Sequence, residues 1–122
     1  MYHILVVDDE SRIRALIRKY AEFEGHTVTE AGDGMEAVNL CRTQTFDLII
    51  MDIMMPVMGG LEAAHAIRTM ERADSNKVPI VAISANAFDE DIHRSLASGM
   101  NAHLSKPVEI DKLRETLGRL LK

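Results

Sequence analysis

The sequence predicts an α/β fold: five βα units in a single domain, with a parallel sheet covered by helices on both sides. Three observations carry that expectation. Short apolar runs of strand length recur along the chain, and most of them stop at a polar residue. Between them lie segments whose apolar residues recur at helical spacing. The central run, Leu48-Ile49-Ile50-Met51, is continuous, as expected of a strand buried on both faces. Alternation of the two element types implies crossover connections, and these make the strands parallel.

The first strand, β1, is Ile4 to Val7, β-branched at three of its four positions and ended by Asp8-Asp9-Glu10. Ser11 is placed to cap the first helix, α1, along which Ile13, Leu16, Ile17 and Tyr20 recur. Gly25 is expected to stop it in the left-handed conformation. Thr27 to Ala31 alternates weakly and reads as β2, half-exposed at an edge of the sheet. Asp33-Gly34 reads as a turn. Met35, Ala37, Val38, Leu40 and Cys41 give α2, and Phe46 leads into β3, Leu48 to Met51.

After the loop from Pro56 to Gly60, Leu61, Ala64, Ile67 and Arg68 begin α3, which frays into the polar stretch Glu71 to Lys77. Pro79 to Ile83 is β4, with proline tolerated at the start of a strand. It ends in Ser84-Ala85-Asn86. Asp89 to Ser98 is α4, closed by Gly99. His103 to Ser105 is β5, ending in Lys106-Pro107. Ile110, Leu113, Leu117 and Leu120 form α5, with Asp111 near its start and Arg119 and Lys122 near its end, the charge order that the helix dipole favours.

Composition narrows the function classes. The chain has 122 residues, 47% of them apolar, which suits one domain with a real core. A net charge of −5 and the lack of a basic stripe argue against direct nucleic-acid binding. One cysteine, Cys41, cannot form an internal disulfide and fits a reducing compartment. No stretch reaches the length of a membrane span and no signal peptide stands at the start, so a cytoplasmic domain without membrane contact is expected.

In sheets of this type, ligands bind beyond the carboxyl ends of the strands. The residues just past each strand therefore matter. Asp8 and Asp9 come after the first, Asp52 ends the third, Ser84 the fourth, and Lys106 comes after the fifth. Singly, each reads as a cap, a turn residue or a solvated charge. Jointly, they put three carboxylates, a hydroxyl and an ammonium on one rim. Crowded carboxylates raise one another's pKa, and a divalent cation removes that conflict. Mg²⁺ is the natural candidate, since it takes oxygen ligands and keeps few carboxylates; Mn²⁺ is the substitute. A carboxylate can attack phosphorus, with the cation and Lys106 stabilising the transferring group and Ser84 donating a hydrogen bond to it. Asp52 is the best placed nucleophile. The methionines Met51, Met54, Met55 and Met58 suit packing rather than a metal, and the five histidines show no metal-ligand spacing.

Asp8-Asp9, Asp52 with Met55-Pro56 and Gly60, Ser84-Ala85 and Lys106-Pro107 together resemble the response-regulator receiver domain, across the whole chain. The resemblance implies a flavodoxin-like, doubly wound (βα)5 sheet in strand order 2-1-3-4-5. It implies a single receiver domain over residues 1–122, with no output domain in the chain. Asp52 would be the phosphoacceptor, charged from a phosphohistidine of a histidine kinase or a histidine phosphotransfer domain. Asp9 and Asp52 would ligate Mg²⁺ with the backbone carbonyl of Met54, and Asp8 would act in the same pocket through metal-bound water. Ser84 would close onto the phosphoryl group. The peptide bond to Pro107 would be cis. The output face would be α4-β5-α5, which also offers a homodimer contact.

Two positions depart from the family pattern. Gly59 stands where many receivers carry an acid. His103 stands where the rotating Tyr or Phe is common, and it is expected to serve as the switch side chain with Ser84. Met54 and Asn86, two residues beyond Asp52 and Ser84, cannot activate water, so a phosphorylated state that is not unusually short-lived is expected. Residues 1 to about 58 look like receivers of DNA-binding regulators, and the segment from Gly60 onward looks like receivers of hybrid kinases. A turnover phosphatase would want an acid where Met54 stands. A flavin or nucleotide binder would want a glycine-rich loop where Asp8-Asp9-Glu10 stands. A receiver that serves only as an unphosphorylated interaction module fits poorly with the intact constellation.

Overall fold

The computed structural model describes residues 1–55, 57–70, 77–84 and 99–121. The predicted α4, Ala85, Asn86, Pro56, most of the polar stretch after α3 and Lys122 lie outside the described residues.

The elements run β1 (His3–Val7), α1 (Ser11–Phe23), β2 (Thr27–Ala31), α2 (Gly34–Thr43), β3 (Leu48–Asp52), α3 (Gly60–Arg68), β4 (Ile80–Ser84), β5 (Ala102–Ser105) and α5 (Ile110–Leu120). The strands form one parallel sheet in the order β2-β1-β3-β4-β5. This is the expected doubly wound α/β architecture, with β2 at one edge. Strand order reverses between β1 and β3, which opens a crevice beyond their carboxyl ends.

The period of two along each strand divides the core. Leu5, Val7, Ile49, Met51, Ile80 and Ala82 pack with α2 and α3 on one face. Ile4, Val6, Leu48, Ile50, Val81 and Ile83 pack with α1 and α5 on the other. All five residues of β3 are buried, so the central strand carries apolar side chains to both faces. Each fully buried Leu, Ile or Val contributes about 1.5–3 kcal/mol. That double anchorage holds the carboxyl end of β3 rigidly at the rim.

Two local expectations are corrected. Ser11 is the first helical residue of α1 and does not cap it; Glu10 occupies the cap position without a side-chain cap bond. The reason is that the Glu10 carbonyl already accepts from the amides of Ile13 and Arg14 at 3.2 and 3.3 Å, which starts the helix one residue earlier. Asp33-Gly34 is the start of α2 rather than a separate turn. Asp33 Oδ1 accepts from the Glu36 amide at 2.8 Å, which satisfies one of the donors left open at a helix start. The Glu36 carboxylate accepts in return from the Gly32 amide at 3.2 Å. Gly25, at φ 89°, and Gly99, at φ 100°, adopt the left-handed conformation, and Gly25 ends α1 as expected.

Candidate functional site

Asp8 lies just past β1 and is fully buried; Asp52 is the last residue of β3 and 3% exposed. β1 and β3 are neighbours, with Val7 paired to Met51, so the residues that come after both strands emerge side by side. Lys106 comes after β5 and reaches across the rim. Its Nζ is 3.2 Å from Asp52 Oδ2 and 3.3 Å from Asp8 Oδ2. The Lys106 amide donates to the Ser84 carbonyl at 2.9 Å, which fixes the backbone from which the side chain extends. The peptide bond from Lys106 to Pro107 is cis.

The remaining oxygens of the acid pair are differently placed. Asp8 Oδ1 accepts from the Glu10 amide at 2.8 Å, and Asp52 Oδ1 accepts from the Met54 amide at 3.3 Å. Asp8 Oδ2 is sealed from solvent and has no hydrogen-bond partner among the described residues; the Lys106 ammonium is its ion-pair partner. Asp9 is exposed, with its carboxylate turned to the same mouth. Ligand oxygens of Asp8, Asp9 and Glu10 all lie within 4.8 Å of one another.

Burial decides the electrostatics. Desolvation first, and the neighbouring Asp8 carboxylate second, push the Asp52 carboxyl up to about 6, against the opposing pull of Lys106. Desolvation likewise raises Asp8 above the usual carboxylate range. For Lys106, burial is the largest single influence and lowers its pKa. The hydrogen bond to Asp52 and the charges of Asp52 and Asp8 outweigh it, so the ammonium is held above its ordinary range. One cation is shared by two buried acids, and the pocket is left short of positive charge.

An oxygen-only donor set of this kind fits a hard divalent cation such as Mg²⁺. The buried, unbonded Asp8 Oδ2 and the close approach of three carboxylates are what such an ion would satisfy.

The structure therefore brings Asp8, Asp52 and Lys106 into direct contact. It places Asp9 at the mouth and Ser84, buried, at the end of β4. His103 is half-buried in β5, paired with Ala82. The Met54 side chain is 76% exposed, which points it away from the pocket-forming packing. Two participants, Glu10 and Arg14, were missed by sequence reasoning. Glu10 joins the acidic cluster and stands 3.6 Å from Lys106 Nζ; its position directly after Asp8-Asp9 was the available signal. Gly60 packs against the backbone of Asp52. Arg14 donates to the carbonyl of Asp8 at 2.6 Å, and a bond to a main-chain oxygen leaves no trace in residue types.

The chain matches the family described as the response regulator receiver domain over residues 4–118. It belongs to that family. As a receiver, it is a phosphorelay signalling domain. Among curated relatives, the receiver is 36% identical to the sensor histidine kinase AruS of Pseudomonas aeruginosa over 117 residues, covering 96% of this chain and 12% of the kinase. It thus spans a small part of that relative's length. The receiver domain of the Pseudomonas aeruginosa sensor histidine kinase PA1611, with a magnesium ion coordinated in its active site cleft, is 35% identical. It superposes with a TM-score of 0.89 over 98% of this chain and 97% of that one. The receiver of Saccharomyces cerevisiae Ssk1, crystallised with the histidine phosphotransfer protein Ypd1, is 29% identical. Its TM-score is 0.88, over 98% of this chain and 88% of that one. No helix among the described residues is long and apolar enough to cross a membrane.

Proposed function

We propose that this receiver accepts a phosphoryl group on Asp52 from a phosphohistidine of a histidine kinase or a histidine phosphotransfer domain. The observation that carries this reading is the contact of a buried strand-end carboxylate with Lys106 at 3.2 Å, beside a second buried acid. Desolvation leaves Asp52 poorly solvated and therefore reactive once ionised. A carboxylate oxygen of Asp52 attacks phosphorus, the oxygen–phosphorus bond forms, and the bond from phosphorus to the imidazole nitrogen breaks. The imidazole leaves with the electron pair. Lys106, already at the rim, pairs with a phosphoryl oxygen as a point charge. Ser84 donates its hydroxyl to the same group.

Asp8, Asp9 and Asp52, with the backbone carbonyl of Met54, would hold Mg²⁺ or Mn²⁺. A bound ion would neutralise carboxylate charge and orient the incoming phosphoryl oxygens. The domain promotes its own phosphorylation and dephosphorylation and does not turn over other substrates. Movement of Ser84 onto the phosphoryl group, accompanied by His103, would alter the surface of β5 and α5. That face would carry output or a homodimer contact.

The reading is tested by mass spectrometry after incubation with a small acyl-phosphate donor and Mg²⁺. One phosphoryl adduct on the wild type and none on Asp52→Asn is the expected result. An unmodified wild type overturns the proposal.

A further inference from the structure

The acidic loop after β1 is fastened from outside the pocket. Arg14, in the first turns of α1, donates from its guanidinium to the backbone carbonyl of Asp8 at 2.6 Å. Its Nε donates to Glu30 Oε1 on β2 at 2.9 Å. Both side chains are largely covered, at 20% and 26% exposure, so the pair is shielded from the screening that weakens surface ion pairs. The second Glu30 oxygen is taken by Arg18, with Nη1 to Oε2 at 2.5 Å. Glu30 is thereby held ionised, its carboxyl lowered chiefly by the Arg18 hydrogen bond and, after opposing burial, by Arg14.

The Asp8 carbonyl belongs to the peptide that leads into Asp9. Rotation of that peptide would swing the exposed Asp9 carboxylate away from Asp8. The Asp8 amide is fixed as well, donating to the Ala31 carbonyl next to Glu30 on the same strand at 3.2 Å. Both ends of the Asp8 residue are therefore tied to β2, one directly and one through Arg14.

We propose that Arg14 is a positioning residue for divalent cation binding: oriented by Glu30, it locks the Asp8–Asp9 peptide so that the carboxylates converge before the cation arrives. The inference rests on the cation reading under Proposed function. The effect it requires is opposite in sign to simple electrostatics. Arg14 is a positive charge close to a cation site, so its removal by Coulomb's law alone should tighten Mg²⁺ binding. Loss of a preorganised loop should weaken it instead.

The test is Mg²⁺ affinity by isothermal titration on the unphosphorylated protein, with melting temperature recorded for each variant. Wild type is compared with Arg14→Met, which keeps the apolar stem, Glu30→Gln, and Arg18→Met. Arg18→Met removes the same charge from the same helix and a partner of the same Glu30, but no bond to Asp8. The expected result is binding by the wild type, weakened about tenfold in Arg14→Met and by a smaller factor in Glu30→Gln. Arg18→Met should be unchanged or slightly tighter. Arg14→Met binding as tightly as the wild type, or more tightly, overturns the positioning role. If Arg14→Met does not fold, Arg14→Gln, which removes the same positive charge, decides: weaker binding supports the proposal and unchanged or tighter binding overturns it. A folded wild type that binds no Mg²⁺ overturns the cation reading itself, which separates the two failures.

Discussion

Gly60 lies directly against Asp52: a Cβ at Gly60 would stand 2.2 Å from the Asp52 carbonyl oxygen and 3.0 Å from its carbonyl carbon. Helix α3 therefore begins in van der Waals contact with the strand end that bears the candidate phosphoacceptor. The Gly60 amide closes the approach by donating to the Ile53 carbonyl at 2.9 Å. No side chain fits there without moving backbone. Gly60→Ala is expected to lose about 2–4 kcal/mol of stability, a cost typical of severe overpacking. At Gly118, in α5, a Cβ would meet nothing within 4 Å, so Gly118→Ala should be neutral or stabilising by up to about 1 kcal/mol. Urea melts of both variants check the contrast; equal behaviour would mean that the close approach is not structural.

The raised carboxyl of Asp52 sets a pH dependence of stability. Its pKa lies above the unfolded value, so the folded protein holds the proton more tightly than the unfolded chain. The contribution is fully present below about pH 4 and is lost as pH rises through about 6. At pH 7 the ionised group is therefore a burden on the fold. Asp52→Asn should be more stable than the wild type at pH 7, by about 1–3 kcal/mol, and the gain should vanish near pH 4. Denaturant melts at the two pH values measure it, in the absence of divalent cations.

Lys106 offsets two buried acids at once, so its loss should be felt in the opposite direction. Lys106→Ala leaves Asp8 and Asp52 facing each other without a cation between them. A loss of about 2–4 kcal/mol is expected at pH 7.5, shrinking toward pH 4 as Asp52 takes up a proton. The same variant should resist phosphorylation. Stability that is insensitive to pH in this variant would show that the carboxylates are not coupled through Lys106.

Added Mg²⁺ should raise the melting temperature of the wild type in a saturable way, since a ligand that binds only the folded state stabilises it by about 2.7 kcal/mol at a hundredfold excess over its Kd. Protons compete for the same oxygens. The effect should therefore decline as pH falls through about 6, where Asp52 becomes protonated. Asp9→Asn should reduce it at every pH. Thermal shift curves across pH provide the measurement.

His103 is half-buried on β5, in register with Ala82, two residues before the register position of Ser84. If it turns with Ser84, His103→Ala should keep phosphorylation of Asp52 but lose the accompanying spectral changes in α5. Amide NMR spectra with and without acyl phosphate decide this. Identical changes in the two proteins would remove His103 from the switch.

The fold was legible in the sequence to within a residue or two at most element ends. Apolar periodicity is a local property, and it separates β3, whose five residues are all buried, from β2, which keeps one exposed and two half-buried positions at the edge. The two corrected helix starts have a common cause. Asp33 and Ser11 are both acceptable capping residues, and which position becomes the cap depends on which carbonyl first accepts a helical amide.

By itself, the sequence determined the alternation of strands and helices, the buried central strand and the polar residues at the ends of β1, β3, β4 and β5. These come from residue type and spacing. The tertiary structure alone decided what those residues touch. It made Lys106 common to Asp8 and Asp52, brought Glu10 into the cluster, seated Gly60 on the Asp52 carbonyl and tied Arg14 to the carbonyl of Asp8. Contacts to main-chain oxygens and the degree of desolvation depend on how closely elements approach, and spacing along the chain does not encode that distance. The position of Asp52 was readable in one dimension, whereas its raised pKa exists only in three.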